Sequence, residues 1–320
     1  MNLLIVAPNW LGDAVMALPA IADVRRGLTD GTITIAARRS IAPLFSLVPD
    51  VDRWLELPHS AATLSTFDAA LLLPNSFHAA MNVWRARIPE RWGYRGDWRR
   101  LLLTRAIDRP SRVHQVDFYR HLVSALGFPN GSGEPRVSVG DDVRERGKLA
   151  LIKAAWDSTT PLVAIAPGAA YGGAKRWPPK FFAELATRLS GDGVATVLVG
   201  SDADRPAGAE IERCVQRGTR ILNLIGGTDL PTFAGVLAAC RALVTNDSGA
   251  MHLAAAIRVP VTAIFGPTNE HVTGPRGPSH AILTQPVACR PCMLRECPID
   301  HRCMRGIPVG AVLAEARRSL

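Results

Sequence analysis

Residues 245–252, Thr-Asn-Asp-Ser-Gly-Ala-Met-His, are the stretch that decides the fold. They follow the apolar residues 242–244, which predict a buried strand, and they precede residues 253–256, which predict a helix. A polar turn with a glycine between a strand and a helix is typical of phosphate binding, because the free amide groups at a helix start attract anions. The sequence therefore predicts an anion site at this turn.

A second turn of the same kind lies near the amino terminus. Residues 3–8, Leu-Leu-Ile-Val-Ala-Pro, predict a strand, and residues 9–13, Asn-Trp-Leu-Gly-Asp, lead from it into a helix. Ligands of open α/β sheets bind beyond the carboxyl ends of the strands. One such turn in each half of the chain predicts a single active site in a cleft between two domains.

Strands alternate with helices along the whole chain. The expected strands are residues 3–7, 32–36, 69–73, 91–94, 162–166, 194–199, 242–244 and 261–265. The expected helices are residues 18–28, 114–126, 141–156, 179–189, 207–216, 230–239, 249–256 and 308–319. Apolar strands between helices predict parallel sheets covered on both faces, an α/β doubly wound fold. We expect domains at residues 1–157 and 158–320, with the last helix, 308–320, packed on either of them.

Composition excludes some classes of protein and leaves others open. The chain has 320 residues, 48% of them hydrophobic, which suffices for two cores. No apolar run approaches the roughly 18 residues of a membrane span, and no leader is evident, so we expect a cytoplasmic protein. The net charge is +9, and residues 84–120 hold ten arginines against four acids. This stretch is either a solvated basic surface or a site for nucleic acid, anionic lipid or a phosphorylated glycolipid.

Asp13 is the leading catalytic candidate. It follows Gly12 where the first strand meets the first helix, so its carboxylate can act as a general base on a hydroxyl. The alternative is that Asp13 only caps the helix.

The second half supplies candidates for holding a phosphate. Lys175 lies in a glycine-rich loop, residues 167–178, and a lysine beside backbone amides suits a phosphate leaving group. The loop lacks the Walker A spacing. Ser248 and the amides after it are placed to hold a diphosphate, and His252 either faces the same group or is a core residue. Residues 266–268, Gly-Pro-Thr, follow the next strand and can close this pocket.

Two further patterns bear on metals. Asp202 and Asp204 follow a strand as Asp-x-Asp, and capping or a ribose contact competes with metal binding there. Four cysteines cluster at one end of the chain, and structural zinc or a compact loop of reduced thiols are the two alternatives. These cysteines are Cys289, Cys292, Cys297 and Cys303. No Gly-x-Gly-x-x-Gly follows the first strand, which argues against a nicotinamide dehydrogenase.

In order and spacing, these motifs resemble the ADP-heptose:lipopolysaccharide heptosyltransferases of glycosyltransferase family 9, and the cysteine run resembles the type II branch. The stretches that carry the resemblance are residues 7–16, 91–95, 101–104, 167–178, 245–256, 265–268 and 289–303. One departure is Asp97, where the family often carries glutamate.

The resemblance implies a GT-B fold, with an acceptor-binding domain followed by a nucleotide-sugar-binding domain. It implies an inverting transfer of L-glycero-D-manno-heptose from ADP-heptose to the heptose of Hep-Kdo2-lipid A, without a metal or other cofactor. Asp13 is then the base. The implied donor-binding residues are Lys175, Asp247, Ser248, Gly249, His252, Ala169, Ala170, Gly266 and Thr268. The implied acceptor-binding residues are Trp10, Gly12, Tyr94, Arg95 and Arg99.

Partners and rival functions follow from the same resemblance. We expect ADP-heptose, a phosphorylated lipid A–Kdo–heptose acceptor and the anionic inner leaflet of the inner membrane as partners. We expect no nucleic acid, and a monomer. The alternatives are heptosyltransferase I or III, which use a different core acceptor, and a GT-B-like nucleotide-sugar epimerase.

Overall fold

Two compact units make up the protein. The computed structural model describes residues 1–96 and 98–320, apart from the side chain of Ala61. The first unit is Met1–Ser138 and the second is Val139–Leu320. Each is built around a parallel sheet of the doubly wound kind, so the predicted α/β class is confirmed.

The sheet of the first unit has six strands in the order β3-β2-β1-β4-β5-β6 among the residues described. Its strands are β1 (Asn2–Val6), β2 (Thr32–Arg38), β3 (Arg53–Leu57), β4 (Ala69–Leu72), β5 (Glu90–Tyr94) and β6 (Arg105–Ile107). The central strands are apolar and were predicted. The edge strands β3 and β6 were not, because their outer residues face solvent and carry charge, which hides the strand pattern.

Helices cover this first sheet. They are α1 (Leu11–Met16), α2 (Leu18–Gly27), α3 (Ala61–Leu64), α4 (Phe77–Arg85) and α5 (Gln115–Ala125), with 3₁₀ helices at Ala42–Leu47 and Arg99–Leu102. Helix α4 was not predicted from the sequence. Its start is fixed by Ser76, whose hydroxyl accepts a 3.2 Å hydrogen bond from the amide of Ala79.

The second unit has the strand order β12-β11-β10-β7-β8-β9. Its strands are β7 (Leu162–Ala166), β8 (Ala195–Leu198), β9 (Ile221–Asn223), β10 (Ala242–Asn246), β11 (Val261–Phe265) and β12 (His280–Thr284). Its helices are α6 (Asp141–Lys153), α7 (Pro179–Gly191), α8 (Arg205–Cys214), α9 (Leu230–Ala239), α10 (Gly249–Ala256), α11 (Glu270–Thr273), α12 (Arg302–Arg305) and α13 (Val309–Arg317), with 3₁₀ helices at Gly173–Lys175 and Asp202–Asp204. The last helix, α13, packs on α7 and the sheet of this unit, which decides between the two placements expected for it.

Helix α6 packs along α9 and therefore belongs to the second unit. The division at Ser138 thus lies before the expected boundary between residues 157 and 158. The sequence does not show which unit holds α6, because the helix has little apolar surface. Its buried residues Val143, Gly147 and Leu151 recur every fourth position and make one narrow face, and most of its other residues are charged or exposed.

Two glycines allow these helices to approach closely. A Cβ atom on Gly147 would lie 2.1 Å from the carbonyl carbon of Gly235 in α9, and a Cβ on Gly235 would lie 2.1 Å from the carbonyl oxygen of Val143. Backbone atoms at this distance cannot yield as a side chain can, so the crossing requires glycine at both positions.

We expect Gly147→Ala to destabilise the second unit by at least about 2 kcal/mol, because the methyl group must push two helix backbones apart. Gly310→Ala in α13 is the matched control, since a Cβ there meets no atom within 4 Å. That change should be neutral or stabilise by up to about 1 kcal/mol. Denaturant unfolding followed by circular dichroism measures both, and equal midpoints for the two variants would contradict the close crossing.

Candidate active site

The centre of the candidate site is a lysine–carboxylate–hydroxyl cluster at the carboxyl ends of three adjacent strands. Lys175 follows β7, Asp247 follows β10 and Thr268 follows β11. The Lys175 Nζ atom lies 2.5 Å from Oδ2 of Asp247, and the Thr268 hydroxyl donates to the same oxygen at 2.7 Å. The side chains of Lys175 and Asp247 are only 13% and 6% exposed. The Lys175 ammonium is therefore held in one position at the carboxyl ends of these strands.

Asn246 fixes the loop that carries this lysine. As the last residue of β10, it is fully buried. Its Nδ2 donates to the carbonyl of Pro167 at 2.7 Å, and its Oδ1 accepts from the amide of Trp177 at 2.9 Å. Both ends of the loop are thus tied to one side chain. The sequence does not reveal this role of Asn246, because nothing in the spacing shows that residues 167 and 177 meet.

The amino terminus of α10 lies next to the cluster in the chain. Ser248 is its N-cap, yet the hydroxyl makes no capping bond and instead lies 3.0 Å from the hydroxyl of Thr245. The amides of the first turn, from Gly249 onward, have no intrahelical partners, as at any helix start. This end of the helix can therefore receive an anion. His252 lies within α10 and is only 5% exposed, as expected for a core residue.

The cysteine loop, residues 289–303, packs against the lysine loop. Backbone and side-chain hydrogen bonds join the two. They are Ala174 N to Arg295 O at 2.9 Å, Gly173 N to Glu296 Oε1 at 2.9 Å, Tyr171 OH to Met293 O at 2.8 Å and His301 Nε2 with Ala174 O at 2.6 Å. The amide of Met293 also donates to the carbonyl of Pro267 at 2.9 Å. The loop thereby holds the segments that carry Lys175 and Thr268.

A second cation, Arg295, lies near Lys175, because both side chains contact the ring of Tyr171. The Lys175 Nζ atom lies 4.9 Å from the centroid of the Tyr171 ring, and the Arg295 Cζ atom lies 5.4 Å from it. Both distances are in the range of cation–π contacts. Arg295 is exposed and so remains open to an anion. Sequence reasoning missed Arg295, because its place in the cysteine loop gives no sign that the loop reaches Lys175.

The four clustered cysteines lie near one another. Burial raises the pKa of the Cys303 thiol, and the charges of Cys297, Cys289 and Cys292 raise it further. Within residues 1–96 and 98–320, no three His, Cys, Asp or Glu side chains are arranged to hold a metal ion. Structural zinc at this loop stays a prediction.

The Asp-x-Asp motif has a capping role. The Asp204 carboxylate accepts from both the amide and the hydroxyl of Ser201 at 2.9 Å, which forms a capping box. Asp202 pairs with Arg205 at 2.8 Å. The capping interpretation is confirmed, and both carboxylates have local partners.

Asp13 lies in the first turn of α1 and is half-buried. The N-cap of this helix is Trp10, so Asp13 does not occupy the cap position. Asp13 is near Tyr119 of α5: burial raises the pKa of that phenol, and the negative charge of Asp13 raises it further. Trp10, the N-cap residue, is 58% exposed.

Two expected acceptor-binding residues are buried. Tyr94 and Arg99 have no exposed surface. The Tyr94 hydroxyl donates to the carbonyl of Phe118 at 2.5 Å, and the Arg99 guanidinium donates to the carbonyl of Pro74 at 2.6 Å. They pack the first unit, and contact with an acceptor is not supported for them. Arg95 is half-exposed and pairs with Asp108 at 3.0 Å. Asp97 lies outside the described residues.

Two Rossmann-like units in one chain are the components of the GT-B class of glycosyltransferase fold. Residues 61–302 match the family described as glycosyltransferase family 9 (heptosyltransferase). The chain belongs to this family and is a glycosyltransferase.

Several relatives are similar over most of the chain. Lipopolysaccharide heptosyltransferase 2 of Salmonella typhimurium is 32% identical over 300 residues, covering 86% of this chain and 85% of the relative. Lipopolysaccharide heptosyltransferase 1 of Pseudomonas aeruginosa is 28% identical, covering 93% and 87%. The solved structure of Escherichia coli ADP-heptose LPS heptosyltransferase II matches with a TM-score of 0.89 at 29% identity, covering 100% of this chain and 98% of that one.

We expect a double-mutant cycle on Lys175→Met and Asp247→Asn to show a coupling of about 1–3 kcal/mol, since each single change leaves the other polar group buried without its partner. The exposed pair Glu184–Arg188, at 2.6 Å on α7, is the control and should couple by less than about 0.5 kcal/mol. Unfolding free energies of the four chains in each cycle provide the measurement. Equal coupling in both cycles would show that the site does not constrain Lys175.

Proposed function

We propose that this enzyme transfers L-glycero-D-manno-heptose from ADP-heptose, with inversion, to the first heptose of the lipopolysaccharide inner core. The observation that carries the proposal is the buried lysine held by Asp247 and Thr268 beside the start of α10. That arrangement suits a nucleoside diphosphate leaving group. Membership of family 9 and the likeness to type 2 heptosyltransferases support heptose as the sugar and a heptose as the acceptor.

The second unit is the proposed donor-binding domain. The Lys175 ammonium and the amides at the start of α10 offset the negative charge that grows on the diphosphate as it leaves. Asp247, Ser248, Gly249 and His252 are the proposed nucleotide-sugar contacts, with Ala169, Ala170, Gly266 and Thr268 around them. Arg295 joins this set, because it shares Tyr171 with Lys175.

The first unit is the proposed acceptor-binding domain, with Asp13 as the base. The acceptor hydroxyl gives its proton to the Asp13 carboxylate as its oxygen bonds to the anomeric carbon. The bond from that carbon to the diphosphate oxygen breaks on the opposite face, and ADP leaves with the electron pair. The carbon passes through an oxocarbenium-like state, as in glycoside hydrolysis. Trp10, Gly12 and Arg95 remain the proposed acceptor contacts.

The reaction is proposed to need no metal ion. Lysine, arginine and helix amides supply positive charge where Mg²⁺ would otherwise act on the diphosphate. The Asp202 and Asp204 carboxylates already serve Arg205 and Ser201, which supports this proposal.

The enzyme is proposed to work as a monomer at the cytoplasmic face of the inner membrane. None of the described helices is both long and apolar enough to span a bilayer. The arginine-rich stretch between residues 84 and 120 suits the phosphates of lipid A and of anionic lipids, and nucleic acid is not proposed as a partner.

We expect purified enzyme to transfer heptose from ADP-heptose to Hep-Kdo2-lipid A but not to Kdo2-lipid A, in the presence of EDTA, with product detected by mass spectrometry. Transfer to Kdo2-lipid A would instead indicate heptosyltransferase I, and transfer only to a longer core would indicate type III. Loss of activity in EDTA with rescue by Mg²⁺ would contradict the metal-free mechanism. Release of a free sugar or an epimer without acceptor would indicate an epimerase.

We expect Asp13→Asn and Lys175→Met to fail in different ways. Asp13→Asn should lower kcat by about 10²- to 10⁴-fold while ADP still binds, because the base is lost and the donor site is intact. Lys175→Met should weaken ADP binding by about tenfold or more, because a charge-assisted contact is lost. Steady-state kinetics and calorimetry with ADP separate the two.

Controls for this pair are changes of the same type at exposed positions. Asp30→Asn in the first unit and Lys153→Met in the second leave the proposed site untouched and should behave as wild type. If Asp13→Asn abolished ADP binding, its role would be structural, and wild-type kinetics in Lys175→Met would remove that residue from the site.

A further inference from the structure

Large apolar side chains project into solvent from one part of the first unit. Trp98 is 87% exposed and Leu101 is 85% exposed, at the start and within the 3₁₀ helix Arg99–Leu102. Phe77 and Trp84 of helix α4 are 42% and 48% exposed. Exposed apolar side chains that cluster mark interaction sites, whereas single ones scattered over a surface are normal.

Helix α4 and the 3₁₀ helix form one packed structure. Ala80 and Val83 of α4 lie in the same core cluster as Leu102 of the 3₁₀ helix. The buried Arg99 guanidinium donates to the carbonyl of Pro74, just ahead of α4, which ties the two helices together. The exposed residues therefore stand on a supported base, and their exposure does not reflect a loose segment.

The exposed residues of α4 make a stripe. Phe77 and Trp84 are seven positions apart, two helical turns, so they share one face with the half-buried Met81 between them. The small residues Ala80 and Val83 point to the core. The helix thus buries small apolar residues and exposes its two large aromatic ones, the reverse of what stability alone would favour.

Positive charge surrounds these apolar groups. The sequence from residue 77 to residue 102 holds six arginines and two acids, and neither α4 nor the 3₁₀ helix contains an acidic residue. Arg85, Arg87 and Arg100 are exposed. Protein surfaces that lie in the headgroup region of anionic bilayers combine tryptophan and leucine with arginine in this way.

We propose that the α4–3₁₀ surface, consisting of Phe77, Trp84, Arg85, Trp98, Arg100 and Leu101, docks the enzyme on a bilayer of anionic phospholipid. Trp98 and Leu101 enter the boundary between headgroups and acyl chains, and Arg85 and Arg100 contact lipid phosphates. The inference rests on the proposed function in one respect: a lipid-anchored acceptor gives the enzyme a reason to bind a membrane. It goes further by naming the side chains that make the contact, and by adding the apolar residues Trp98 and Leu101 to the charges of this stretch.

Binding to vesicles tests the proposal. Full-length enzyme is sedimented with vesicles of phosphatidylethanolamine and phosphatidylglycerol, and with vesicles of phosphatidylcholine alone. We expect strong binding only to the first. The double variant Trp98→Ser, Leu101→Ser should bind at least about tenfold more weakly. Arg100→Glu should lose about fivefold or more on the anionic vesicles.

Matched controls are available at exposed residues that do not belong to this surface. Trp54→Ser changes an exposed tryptophan on β3, at the opposite edge of the same sheet, and Arg217→Glu changes an exposed arginine in the second unit. Both should bind vesicles as wild type does. If the wild type does not bind anionic vesicles, or if the Trp98, Leu101 variant binds as the wild type does, the proposal is overturned.

A second measurement separates docking from catalysis. The Trp98, Leu101 variant should keep wild-type kcat/KM on a deacylated, soluble acceptor and lose activity on acceptor embedded in vesicles. Should the transfer reaction itself fail, vesicle binding still reports on the surface. If analytical ultracentrifugation shows a dimer that the variant abolishes, the surface joins two copies of the chain and membrane docking is wrong.

Discussion

The ion pair between Lys175 and Asp247 is the constraint on which the candidate site depends. A lysine with most of its side chain buried requires a partner, and Asp247 with Thr268 supplies it at the ends of adjacent strands. Because β7, β10 and β11 are neighbours in one parallel sheet, the loops that follow them converge. Asn246 ties both ends of the lysine loop, and the cysteine loop binds its middle. The result is a positive group fixed beside a helix start, which is what a departing diphosphate requires.

Much of the fold could be predicted because the central strands are continuous apolar runs. Strands β7 and β11 and helices α9 and α10 were located with their observed bounds, and the two-domain division followed from the repeated pattern. The edge strands β3, β6, β9 and β12 were missed, since exposed or polar residues interrupt the apolar signal. Helix α6 was located, but its sequence does not show that Gly147 meets Gly235 in α9.

The candidate site was predicted less completely, for a related reason. Residues in a strand-to-helix turn, such as Asp13, Lys175 and Ser248, are visible from local order. Contacts over a long sequence separation are not, and so Arg295 and the tie of Asn246 to Pro167 were missed. Tyr94 and Arg99 were expected at the acceptor, yet they lie in the core of the first unit. Gly93 shows why arginine fits there: a Cβ on this residue would lie 2.6 Å from the Arg99 guanidinium, so glycine leaves the space that the side chain occupies.

The location of the diphosphate is the central claim, and hydrogen–deuterium exchange of the whole chain with and without ADP tests it most directly. ADP should slow exchange in residues 168–176 and 247–252 of the second unit, and in residues 293–297 of the cysteine loop that contacts them. Protection confined to residues 9–20 of the first unit, with none around Lys175 and Ser248, would contradict the account.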